Sequence, residues 1–310
     1  MADNSEQPGY CNLLATGELF ERIAQLSTML TSCELCPRTC GVDRCGGERG
    51  YCHGGARPAV ASAGPHFGEE PPISGRKGSG TIFFTHCTMR CAYCQNYAIS
   101  QLGEGGERTC RELAHLMLHL QRQGCHNINL VTPTHYLPQI IEATTLAAQK
   151  GLAIPLVYNT GGYDRPEVIR LLEGIVDIYM PDAKYGADQP AQALSGAPGY
   201  VAAMQSSLRE MHRQVGDLSI GKDGIARRGV LIRHLVLPGD AARSREVIDF
   251  IARDLSVDSY VNIMDQYRPA GRILDPGYDA ALHRPLSRQE YAGIVSYAVL
   301  KGLHRGFIPP

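Results

Sequence analysis

Three cysteines, Cys87, Cys91 and Cys94, fall within the stretch His86–Tyr97 at the spacing Cys-x3-Cys-x2-Cys. Three thiolates on one short loop can converge on a single metal centre, and three is one fewer than a closed iron–sulfur or zinc site takes. A cubane cluster held this way keeps one iron free for a ligand from outside the protein. A zinc site completed by His86, or three unconnected core thiols, are the plainer readings of the same residues. A second group lies upstream: Cys33, Cys36, Cys40, Cys45 and Cys52, interleaved with glycine and proline. Such a segment cannot build an apolar core of its own, so a cross-link or a metal is its natural stabiliser. Cys33, Cys36, Cys40 and Cys52 make the best four-ligand set, because Cys45 falls in the glycine-rich connector. All-thiolate ligation suits zinc and an iron–sulfur cluster equally, and a reduced thiol-rich loop without metal is the third option.

The elements that position these residues can be read from the flanking pattern. Thr81–Thr85 is an apolar, β-branched and aromatic run directly before Cys87 and predicts a short buried strand. From there, apolar runs alternate with amphipathic stretches. Strands are expected over Thr81–Thr85, Ile128–Val131, Pro155–Tyr158, Ile175–Met180, Val230–Leu237 and Tyr260–Met264. Helices are expected over Leu13–Leu30, Leu137–Lys150, Glu167–Leu172, Val201–Val215 and Arg243–Leu255. Two more should open at the capping boxes Thr109–Glu112 and Ser287–Glu290. This alternation predicts parallel strands joined by right-handed crossovers. Leu218–Arg228, with Gly221 and Gly224 inside it, reads as an inserted hairpin or loop. Residues 1–10 read as disordered. The division expected is a tail and helix (1–32), a cysteine-rich extension (33–75) and an α/β unit (76–310).

The cysteine loop also carries a resemblance. Cys87, Cys91 and Cys94, with the aromatic Tyr93 just before the third cysteine, resemble the signature of the radical S-adenosylmethionine (SAM) enzymes. That likeness implies a partial (β/α)6 parallel barrel of radical SAM type with a small cysteine-rich N-terminal extension. It also implies a [4Fe-4S] cluster whose open iron chelates the amino and carboxylate groups of SAM. One electron then cleaves SAM reductively to a 5′-deoxyadenosyl radical that abstracts hydrogen from a substrate. The cysteine pattern Cys33–Cys52 and the segments Asn159–Tyr163, Asp177–Tyr185, Val236–Gly239 and Asn262–Tyr267 resemble a particular branch, the largely uncharacterised homologues of pyruvate formate-lyase activating enzyme. The branch implies a glycyl radical enzyme as substrate and an electron donor such as flavodoxin or ferredoxin. Radical modification of a small molecule or peptide is the alternative from the same chemistry, and an iron–sulfur redox protein without SAM chemistry is the alternative from another class.

Ligands of parallel α/β sheets collect at the carboxyl ends of the strands, and the candidate site residues fall there. Thr132–His135 follows the second strand, where relatives usually carry a glycine-rich segment that holds the methionine amino group. This chain departs from that pattern, which puts Thr132, Thr134 and the neighbouring carbonyls forward for amine recognition, and His135 as either a site group or a helix cap. Asn159, Thr160 and Gly161 follow the third strand, where relatives contact the SAM carboxylate or ribose, and Gly161 lets backbone approach a ligand closely. Lys184 follows the fourth strand, where activating-enzyme relatives use a lysine on the SAM carboxylate. Tyr93 is the candidate to pack against adenine.

Composition bounds the partners. At 310 residues with a net charge of −1 and 20% charged residues, nothing favours nucleic acid or an anionic membrane. Met1–Pro8 lacks a basic-then-apolar leader pattern. Eleven cysteines without an export signal argue for a reducing, cytoplasmic setting in which clustered cysteines bind metal more often than they pair.

Overall fold

A computed structural model describes residues 7–307. Its centre is a run of six parallel strands. They are β2 (Ser79–Phe84), β4 (Ile128–Val131), β5 (Leu156–Thr160), β6 (Ile178–Pro181), β8 (Ala226–Leu235) and β9 (Tyr260–Met264). They pair in that order, each parallel to the next. These are the six strands read from the sequence, and helices Cys110–Arg122, Leu137–Ala148, Pro166–Arg170, Tyr200–Val215 and Ser244–Phe250 cover the connections between them. Both capping boxes form: Thr109 with Glu112, and Ser287 with Glu290. The expected insert is a hairpin, with β7 (Ser219–Ile220) antiparallel to the start of β8.

Three expectations need correction. Leu13–Leu30 is two helices, Gly9–Thr16 and Glu18–Thr28, because Gly17 between them takes φ 83, a left-handed conformation that ends the first helix. Of the residues expected to be disordered, 1–6 lie outside the described residues, while Gly9 and Tyr10 open that first helix. Tyr10 is buried and its hydroxyl donates to the Ile154 carbonyl. The proposed boundary at residue 75 also fails. β1 (Ala59–His66) pairs antiparallel with β2 on one side and with β3 (Gly106–Glu107) on the other, so the cysteine-rich extension ends before Ala59 and the rest belongs to the sheet.

Side chains alternate across the strands, and the two faces bury different things. Leu130, Tyr158, Tyr179 and Ile232 join the main core beneath the helices, while Val157, Ile178, Met180 and Leu231 form a separate cluster with Ile73 and Leu218 on the other face. Polar side chains on this second face lie above that apolar floor. Asn129 donates to Glu69 (3.0 Å) and Asn262 to Glu70 (2.7 Å).

Candidate active site

The cysteine loop leaves the carboxyl end of β2 through His86, a non-glycine residue at φ 67, a conformation worth a functional question wherever it occurs. Its course is fixed by backbone bonds to distant segments. His86 N–H donates to the Ile99 carbonyl, Arg90 N–H to Ser195 and Ala92 N–H to Leu194, and Ile273 N–H donates back to the Ala92 carbonyl. The guanidinium of Arg38 adds two bonds from outside, to the carbonyls of Thr88 and Gly196, both 2.6 Å.

Held this way, Cys87, Cys91 and Cys94 line one cavity of about 160 Å³ together with Thr132, Asn159, Thr160, Gly161 and Lys184. Eight of the nominated residues thus meet at the strand ends. Each sulfur receives one hydrogen bond or faces one hydroxyl: Met89 N–H on Cys87 (3.3 Å), the Ser195 hydroxyl on Cys91 (3.0 Å), and Ser100 Oγ at 3.2 Å from Cys94. Burial pushes the thiols of Cys87 and Cys91 up, against the nearby positive charge of Lys184. They would therefore become thiolates on binding a metal rather than before it. Three convergent sulfurs, each hydrogen-bonded, beside an open cavity fit a cluster that keeps one iron for an outside ligand. Among the described residues no three His, Cys, Asp or Glu side chains stand close enough to hold one bare metal ion.

Opposite the thiols runs an array of half-buried charges. Asp182 accepts from Lys184 Nζ at 2.5 Å and from Arg233 Nε at 2.8 Å. Arg233 reaches on to Asn159 Oδ1 (2.6 Å) and lies 3.5 Å from Glu69. Burial alone would raise the Asp182 carboxyl, but Arg233 and then Lys184 outweigh it and hold it below the usual carboxylate range. Burial likewise works against the Lys184 ammonium, and Asp182 followed by Cys91 keeps it charged. Sequence reasoning missed Arg233 and Glu69. Arg233 left a usable signal, a lone cation inside the apolar run Val230–Leu237, whereas Glu69 left none.

The remaining nominees are placed differently. Tyr93 is buried beside the cavity, in an adjoining recess with Cys91, Cys94, Lys184, Met264, Gln266 and Tyr267. Its hydroxyl meets that of Tyr185 at 2.7 Å, and Tyr185 meets Ser195 at 2.6 Å, which completes a chain back to Cys91. Thr134 and His135 do not line the cavity. Thr134 is committed to Asp164 (2.7 Å) in a buried cluster with Tyr158. His135 donates from Nε2 to the Thr85 carbonyl (2.9 Å), and burial pushes its pKa down to about 3. Thr132 alone of that segment faces the site, and it does so at φ 59. That is the left-handed conformation a glycine would supply without strain. Glycine is required two positions into the next loop: a Cβ on Gly162 would lie 2.2 Å from the Asp182 carbonyl oxygen. Pro238 and Gly239, at the end of the Val236–Gly239 segment, lie outside this cavity, and Tyr267 anchors to the Leu282 carbonyl (2.7 Å).

Residues 81–251, which include the whole cavity lining, match the Radical SAM superfamily. The chain belongs to the radical SAM superfamily. Membership brings a [4Fe-4S] cluster and SAM as the expected cofactors. Over 248 residues the chain is 31% identical to the uncharacterized protein MJ0674 of Methanocaldococcus jannaschii, covering 77% of this chain and 66% of that one, just under two thirds of the relative's length. Two solved structures are also similar. Native anSMEcpe with bound AdoMet has a TM-score of 0.46 and 10% identity over 74% of this chain and 58% of that one. HydG, a maturase of the [FeFe]-hydrogenase, has a TM-score of 0.47 and 12% identity over 71% and 48%. No helix of this radical SAM protein, among the described residues, is long and apolar enough to cross a membrane.

Proposed function

We propose that this radical SAM enzyme cleaves SAM in the Cys87–Lys184 cavity and passes the radical to a glycine of a partner enzyme. When bound, the cluster supplies the single electron that splits the sulfonium bond of SAM and yields a 5′-deoxyadenosyl radical. The protein's own part is to bind, orient and exclude water. Lys184 offers the ammonium for the methionine carboxylate. Thr132 and Asn159 offer neutral polar groups for the amine, and Gly161 admits close backbone approach. Tyr93, buried beside Cys91, closes the site on the adenine side. The observation that carries the SAM reading is the shared cavity, where thiols and strand-end polar residues from four different strands meet.

The glycyl-radical step rests on the resemblance of the segments Asn159–Tyr163, Asp177–Tyr185 and Asn262–Tyr267 to the activating-enzyme branch. The electron would come from a flavodoxin or ferredoxin. The test is anaerobic reconstitution with SAM, reductant and candidate glycyl radical enzymes, followed by electron paramagnetic resonance. A glycine doublet supports the proposal. 5′-Deoxyadenosine accumulating without any doublet would move the substrate to a small molecule or peptide, and no 5′-deoxyadenosine at all would remove the SAM reading.

A further inference from the structure

The upstream cysteines form a second constellation. Cys33, Cys36 and Cys52 are buried and Cys40 is exposed. Cys36 lies within electrostatic reach of Cys33 and Cys52, and Cys52 within that of Cys33 and Cys40, while Cys45 is exposed and joins neither group. The four thiols chosen from spacing lie in one neighbourhood, with no three of them close enough as they stand to hold one bare metal ion. Two backbone features tighten the segment. Cys33 N–H donates to the Val42 carbonyl while Gly41 N–H returns a bond to Cys33, and Gly54 N–H approaches Cys52 Sγ at 3.4 Å.

An independent observation concerns Arg44, only 1% exposed. Its Nη2 donates to the Gly55 carbonyl at 2.5 Å, its Nη1 faces Cys33 Sγ at 3.9 Å, and its Nε has no partner. No carboxylate pairs with it among the described residues. A buried guanidinium without an anion is costly by several kcal/mol, and the groups in front of this one are thiols. Neutral thiols cannot balance it. Metal-bound thiolates can, because four of them on zinc or on a cubane leave the centre with a net negative charge.

We propose that Cys33, Cys36, Cys40 and Cys52 bind a thiolate-ligated metal centre whose charge is balanced by buried Arg44. Each thiol gives its proton to solvent on ligation. Loading draws the four sulfurs closer than they stand here, with exposed Cys40 turning inward as the last ligand. The centre also abuts the radical loop. Arg38, two residues beyond Cys36, holds the carbonyl of Thr88. Gly54 packs against His135, where a Cβ would lie 3.0 Å from the imidazole, and His135 holds the carbonyl of Thr85. Metal in this segment therefore locks the extension against the loop that carries Cys87.

The experiment uses the full chain with Cys87, Cys91 and Cys94 all changed to alanine, purified anaerobically and assayed for iron, acid-labile sulfide and zinc. About four irons with sulfide, or about one zinc, should remain per chain, and the two outcomes identify the metal. Adding Cys36→Ser and Cys52→Ser should remove that load. To guard against misfolding of the triple variant, Cys36→Ser is also made in the otherwise native chain, which should lose the same increment of metal. Arg44→Met should speed loss of the metal to a chelator by roughly 10-fold or more, as for other groups that support ligands from behind, and Arg44→Lys by less. A metal-free triple variant together with an unchanged load in Cys36→Ser overturns the site. Equal chelation rates in native and Arg44→Met chains overturn the role of Arg44.

Discussion

The two cysteine groups of this chain are built on opposite plans. Cys87, Cys91 and Cys94 stand at the rim of a cavity, on a loop slung from a strand end, and the charges facing them lie on other strands. Cys33, Cys36, Cys40 and Cys52 come from one continuous segment and face a cation from that same segment. The number of thiols follows the plan. Three leave a coordination position for chemistry, and four close the centre and leave only structure or electron transfer. The difference shows why counting cysteines is less informative than asking what else faces them.

The comparison breaks first at the loop. Replacing any one of Cys87, Cys91 or Cys94 with alanine is expected to reduce 5′-deoxyadenosine formation to background, whereas Cys45→Ser, exposed and outside both groups, should leave it unchanged. Detectable cleavage in a single loop variant would show that the three thiols are not one centre.

The support beneath the loop's charges can be probed by pH. His234 is fully buried, donating from Nδ1 to the Ala183 carbonyl (2.6 Å) and accepting at Nε2 from the Ser244 hydroxyl (2.8 Å), and burial pushes its pKa down to about 4. The unfolded chain takes up a proton near pH 6.5 that the folded chain refuses until about pH 4. The folded state therefore loses stability as pH falls through that window, by on the order of 3 kcal/mol from this group. Denaturant midpoints at pH 7, 6, 5 and 4 should decline, and the decline should flatten in His234→Asn. An equally steep decline in the variant would assign the loss to other groups.

Smaller effects sharpen the picture at the ligand side. Lys184→Met removes an ammonium for which Asp182 already competes and should weaken SAM binding by up to roughly 10-fold, measured by equilibrium dialysis with the cluster present. An unchanged Kd would leave Lys184 as a partner of Asp182 only. Thr132→Gly relieves a left-handed backbone and should raise stability by up to about 1 kcal/mol. If stability falls instead, the hydroxyl or the methyl of Thr132 is supporting the loop.

How much of this was legible follows from how each element announces itself. β2, β4, β5 and β6 are buried along nearly their whole length and β8 and β9 along at least one face, so each is an apolar run between polar or glycine-bearing turns, and all six could be read. β1 could not. Ala59–His66 is made of small residues with Gly64 and Pro65 inside it, a composition that speaks against a strand, and it is a strand because β2 offers it an edge. The cavity lining was legible wherever a polar residue ended an apolar run, as at Thr132, Asn159 and Lys184. Thr134 and His135 satisfied the same rule and yet turn away from the cavity, because Asp164 and the Thr85 carbonyl claim them, and neither partner is near in sequence.

The Asp182 carboxylate has a further consequence. It is shared between two cations from neighbouring strands, so Lys184 is not idle before a ligand arrives. Seating the carboxylate of SAM beside it is an exchange of one anion for another, and the net gain is the difference between two similar contacts. The site trades affinity for selectivity in this way: an uncharged ligand offers nothing for which Lys184 should leave Asp182. Asp182→Asn should therefore tighten the binding of simple carboxylates as well as of SAM, and a variant that binds both no better than the native chain would show that the lysine never changes partner.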